Sequence, residues 1–110
     1  MTKYKIIVSP SAKEQMKAIT AHIRDKLLAP QAAKSMALAI KNAIGSLTTM
    51  PERIPEVWSE YGKDSGLRRM VVKSYLVYFQ IDETKRQVYI HAVIYGRRDQ
   101  AAQLDGIIGN

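Results

Sequence analysis

The chain has no cysteine and only two histidines, His22 and His91, in 110 residues. Without cysteine there is no disulfide, no thiolate nucleophile, no zinc knuckle and no iron–sulfur ligation. Two histidines so far apart do not make a metal-ligand pattern, and neither a metal nor another cofactor is expected. Glycine (6) and proline (4) are too sparse for collagen or low-complexity sequence. No apolar run approaches the length that crosses a bilayer, so no membrane contact is expected. The first residues lack a long apolar core and a cleavage site, and they read as a strand, not a secretion signal; a cytoplasmic location follows as the expectation. There is no phosphate-binding loop, dinucleotide fingerprint, paired-histidine helix or nucleophile elbow.

Acidic residues are also few, 10 against 17 Lys plus Arg, for a formal charge of +7. In so small a body that excess favours an anionic partner: nucleic acid, a nucleoprotein or an acidic protein segment. The plain alternative is a basic protein kept soluble by its charge. With 46% apolar and 25% charged residues, the composition suits one globular domain over 1–110, with a core at 3–104 and a flexible tail at 105–110.

Residues 3–9 alternate, with Tyr4, Ile6 and Val8 on one side, and predict a strand. A helix follows. Either Ser9 caps it with Pro10 at the first position, or Ser11 caps it with Glu14 closing a capping box. Ala12, Met16, Ile19, Ile23 and Leu27 recur at helical spacing, and Lys13, Lys17 and Arg24 lie off that stripe on a basic face. Pro30 opens a second helix whose stripe is Ala33, Met36, Ala37, Ile40, Ile44 and Leu47. Residues 51–66 read as a loop, with Trp58 packed over the core edge. Three strands then follow, at 68–73, 75–81 and 88–95, joined by tight turns. In the last, Val88, Ile90, Ala92 and Ile94 are expected to face the helices, and Tyr89, His91, Val93 and Tyr95 the other side. Residues 100–104 suit one helical turn. The order predicts an α+β fold: an N-terminal strand, a helix hairpin, then a three-stranded antiparallel meander, with the helices on one face of a small, mostly antiparallel sheet.

Two arginine pairs stand out, Arg68-Arg69 opening one strand and Arg97-Arg98 after another. Guanidinium forks bind phosphate or carboxylate bidentately, so all four are candidate target-binding residues. Solvation, or a bond to Asp64 or Asp99, is the competing reading. RNA cleavage would need an acid or base and a charge stabiliser, for which Arg68, His91, Tyr95 and Arg97 are the candidates. A lone histidine on a sheet is as readily a packing residue, and His22 reads as structural or solvated. Tyr75 and Tyr78 suit stacking against a partner, or sheet packing.

Leu67 to Asp82 resembles the central hairpin of the RelE/ParE toxin superfamily. Val88 to Asp99 resembles its closing strand and Gly-Arg-Arg-Asp turn. Tyr4 to Ala12, a strand ending in Ser-x-x-Ala before a helix pair, is similar too, so that the resemblance spans about 4–104. It implies the toxin of a type II toxin–antitoxin pair, wrapped by a small cognate antitoxin that alone contacts operator DNA. Lys13, Lys17, Arg24, Tyr75 and Tyr78 are then the expected antitoxin contacts. The superfamily acts either on the ribosome with its mRNA, as nucleases, or on DNA gyrase. Nuclease members typically carry an arginine where this chain has Leu76, and a Tyr or His where it has Gln100 to Leu104. The resemblance therefore leans to the gyrase-directed ParE-like branch. Ribosome-dependent mRNA cleavage and a non-toxic, antitoxin-bound co-repressor are the alternatives.

Overall fold

The computed structural model describes residues 3–57 and 66–96. Strand β1 (Lys5–Val8) leads into helix α1 (Pro10–Ala21), a π-helical turn (His22–Lys26) and helix α2 (Pro30–Gly45). Short 3-10 turns at Ser46–Thr48 and Pro51–Arg53 carry the chain back to β2 (Arg68–Val72), β3 (Tyr75–Asp82) and β4 (Gln87–Tyr95). The four strands form one sheet in the order β1-β4-β3-β2, antiparallel except for the parallel β1–β4 pair. This is the expected α+β arrangement. Trp58, Arg97, Arg98, the expected turn at 100–104 and the tail at 105–110 lie outside the described residues.

The first helix uses the earlier of its two cap registers. Ser9 Oγ accepts the Ala12 amide hydrogen at 3.0 Å and donates to the His91 carbonyl at 3.0 Å, while Pro10 takes the first helical position. One hydroxyl thus satisfies an orphan helix donor and ties α1 to β4. At the other end the turn widens, with the Leu27 amide bonded to the His22 carbonyl. That insertion rotates Leu27 off the apolar stripe. Leu27 is exposed, contrary to the pattern's expectation, while Ile23 stays buried.

One core lies between the hairpin and the sheet. Ala12, Ile40, Ile44 and Leu47 meet Met70, Val72, Tyr75, Val77, Phe79, Val88, Ile90 and Val93 there. Burying a side chain such as Ile40 stabilises the fold by about 1.5–3 kcal/mol. A second, smaller apolar cluster covers the opposite face of the sheet: Leu67, Leu76, Tyr78, Ala92 and Ile94, with Val57 against it. Both faces of β3 are therefore buried, which explains its nearly unbroken apolar run from Tyr75 to Phe79.

The strand pattern fails in β4. Phe79 pairs with Ile90 but Tyr78 pairs with Ala92, leaving His91 as an extra residue. This β-bulge reverses which side chains face the helices. Before it, Val88 and Ile90 point to the main core, as expected. After it, Val93 and Tyr95 do, and Ala92 and Ile94 pack on the opposite face, the reverse of the alternation read from sequence.

Candidate functional site

Away from the helices, the sheet carries two regions. At the end near the Val72-to-Tyr75 hairpin is the apolar cluster holding Leu76, Tyr78 and Ile94. Toward the β3–β4 turn is a polar, open cleft of about 850 Å³, with Ile7, Gln80, Asp82, Glu83, Tyr89 and His91 among its lining.

His91 is half-buried in this cleft, held there by the bulge. Its Nε2 lies 2.6 Å from Gln80 Oε1, and the Tyr89 ring meets it edge-on at 4.8 Å between centroids. With the amide oxygen as acceptor, Nε2 carries the hydrogen and Nδ1 the lone pair. Burial pushes the imidazole pKa down, which keeps the ring neutral near pH 7. Gln80 was not singled out by sequence reading. Its signal is a polar residue interrupting the apolar run of β3.

Among the described residues, the other candidates, Arg68 and Tyr95, do not gather around His91. Arg68 shares the helix-side face of β2 with Met70 and Val72, and its Nη1 donates to the carbonyls of Glu52, at 3.2 Å, and Ile54, at 2.5 Å. It fastens the chain after α2 to the sheet. Tyr95 points to the helix side, its ring 5.6 Å from that of Tyr75. The expectation that Tyr95 shares a face with His91 fails because the bulge at His91 reverses the alternation after it. Arg69 is exposed on β2, opposite Tyr78.

The residues assigned to a partner also divide. Tyr78 is fully buried and Tyr75 nearly so, which makes both packing residues and not free stacking platforms. Lys13, Lys17 and Arg24 are exposed on the hairpin. Lys17 lies 3.8 Å from Glu14, and Arg24 makes a two-point bond to Asp25, at 2.8 and 3.0 Å. That bond raises the Arg24 pKa and lowers that of Asp25. Among the described residues no group of histidines and carboxylates is arranged to hold a metal ion.

A third polar group joins the start of the described chain to the β3–β4 turn. The Tyr4 hydroxyl donates to Glu83 Oε1 at 2.7 Å and accepts from Arg86 Nη1 at 2.9 Å, with the guanidinium over the Tyr4 ring. The bond to Glu83 raises the Tyr4 pKa. This group fixes β1 beside the β3–β4 turn.

The family described as "ParE toxin of type II toxin-antitoxin system, parDE" matches residues 6–100. The chain belongs to the ParE toxin family. No curated protein matches it in sequence. Among solved structures, one from the chromosomal ParDE toxin–antitoxin system of P. aeruginosa is similar with a TM-score of 0.70 at 15% identity, covering 86% of this chain and 98% of that one. The toxin–antitoxin complex RelBE2 of Mycobacterium tuberculosis gives 0.60 at 18% identity, over 84% and 98%. A doubly substituted E. coli toxin RelE in the free state gives 0.59 at 13% identity, over 92% of both chains. At such identities these likenesses show a shared fold. The ParE-family assignment itself agrees with the ParE-like lean of the sequence.

Proposed function

We propose that this ParE-family chain is a growth-inhibiting toxin that acts on DNA gyrase without cutting RNA, and that a cognate antitoxin wraps and silences it. The observation that carries this reading is the separation of Arg68, His91 and Tyr95. A nuclease needs an acid or base and a charge stabiliser within hydrogen-bond reach of one phosphate. Here Arg68 is committed to two backbone carbonyls on the helix side, and His91 to Gln80 on the opposite face. Tyr95 lies on the helix side, about 16 Å along β4 from Ile90, the residue level with Arg68 across the sheet. Leu76 fills the apolar cluster at the position where the nucleases of the superfamily place an arginine.

Arg69, Arg97 and Arg98 are the proposed target contacts; Arg68 acts through the fold. The antitoxin reading is supported by the family and by the ParDE and RelBE2 relatives, which are toxin–antitoxin assemblies. Operator DNA would be reached only through the antitoxin. Among the described residues no helix is long and apolar enough to cross a membrane. Primer extension on mRNA bound to purified translating ribosomes tests the non-nuclease part. The expected result is no codon-phased cut from folded, growth-arresting protein; ribosome-dependent cuts would overturn it.

A further inference from the structure

The tip of the helix hairpin breaks two local rules at one residue. Leu28 has φ 50°, the left-handed conformation that glycine adopts freely and that costs other residues about 1–2 kcal/mol. Its apolar side chain is also 81% exposed, and that of Leu27 60%. The turn is held in this form by two backbone bonds, Leu27 to the His22 carbonyl at 3.2 Å and Ala29 to the Ile23 carbonyl at 3.1 Å. The fold thus fixes a leucine outward at a position where glycine would be less strained.

Beside this knob is a hole. A groove of about 560 Å³ runs between α1 and the end of β4, with Ala18, Ile19, His22, Leu27, Tyr75 and Tyr95 in its walls. Leu27 belongs to the wall, and exposed Leu28 is the next residue of the same turn. We propose that the knob and the groove form a self-association surface, and that the occupant of each groove is Leu28 of a second copy of this chain. A knob and an apolar groove on one surface can pair reciprocally with those of a second copy about a twofold axis. Two copies satisfy both contacts, and the assembly closes.

The charges near the groove favour a second copy over an acidic peptide. Lys13 and Lys17 lie on the side of α1 turned away from Gln15, which lines the groove. Glu14 sits one helical turn from Ala18 on the groove wall and is paired with Lys17, and Arg24 at the tip is paired with Asp25. Lys26 is the remaining cation of the turn. The surface is therefore nearly neutral in a chain of +7. An acidic segment gains little from a surface whose charges are paired off, while a second copy meets no net repulsion there. The proposal does not depend on what the toxin poisons.

Sedimentation velocity of the purified free chain, from micromolar to millimolar concentration, tests it. The expected result is a concentration-dependent monomer–dimer equilibrium. Leu28→Gly removes the knob and relieves the strained backbone, so it should weaken the dimer by about tenfold or more while melting no lower than the parent. Ala18→Glu should weaken it similarly from the groove side, and Leu38→Ser, exposed elsewhere on α2, should leave it unchanged. A parent chain that stays monomeric throughout would overturn the proposal. So would a dimer indifferent to both Leu28→Gly and Ala18→Glu. A monomeric free chain in which Leu28→Gly weakens only the antitoxin complex would give the groove to the antitoxin instead.

Discussion

The side chain of Gln15, on α1, accepts the Val93 amide hydrogen of β4 at 2.8 Å. Strand β1 pairs with β4 only as far as Ile90, so beyond that rung a helix side chain replaces the missing strand. Replacing it by Ala should leave a part-buried donor unsatisfied and cost about 1–3 kcal/mol. Urea melts should show this loss, and the Val93 amide should exchange faster in hydrogen-exchange NMR. An unchanged melt would mean that water serves Val93 equally well.

The two possible caps of α1 separate cleanly by substitution. Ser9→Ala removes both a helix cap and a bond to the β4 bulge, and should destabilise by about 1–2 kcal/mol. Ser11→Ala, at an exposed position inside the helix, should change stability by no more than about 0.5 kcal/mol. Equal effects in thermal melts would contradict the observed register.

His91 makes stability depend on pH. Its folded-state pKa is lowered by burial from the ordinary 6.5, so the unfolded chain binds the proton more readily. The contribution is fully present above about pH 6.5 and is lost as pH falls toward the lowered folded value. Urea midpoints measured from pH 7.5 downward should fall through this window in the parent. They should fall less in His91→Gln, and matching slopes would show that another group titrates there.

Arg68 and Arg97 should give different mutant phenotypes. Arg68→Ala releases two carbonyls of the chain after α2 and should cost about 1.5–3 kcal/mol of stability, with loss of toxicity following loss of fold. Arg97→Ala should relieve toxicity while the melting temperature stays within a few degrees. Growth assays paired with thermal melts check both. Toxicity unchanged by Arg97→Ala would remove that residue from the target surface.

Much of this architecture was legible in the residues. The stripes at Ala12 to Ile23 and Ala33 to Leu47 announced a helix pair, and Lys73-Ser74 a tight hairpin, because burial repeats with the period of the element. The bulge was hidden because β4 is apolar on both sides of it: Ala92, Val93 and Ile94 fit either face. Its one trace is that run of three consecutive apolar residues in a strand otherwise read as alternating. Leu27 was misplaced for a similar reason, since a π turn inserts a residue without any compositional mark. The roles of Arg68 and His91 depended on partners distant in sequence, Ile54 and Gln80, which only the folded register brings near.

The most direct measurement of the central claim is DNA supercoiling by purified gyrase in the presence of the folded, antitoxin-free chain. The account predicts that supercoiling falls with toxin concentration and that cleaved DNA accumulates, with both effects reversed by the antitoxin. Gyrase left fully active by protein that still arrests growth would contradict it and direct attention to another target.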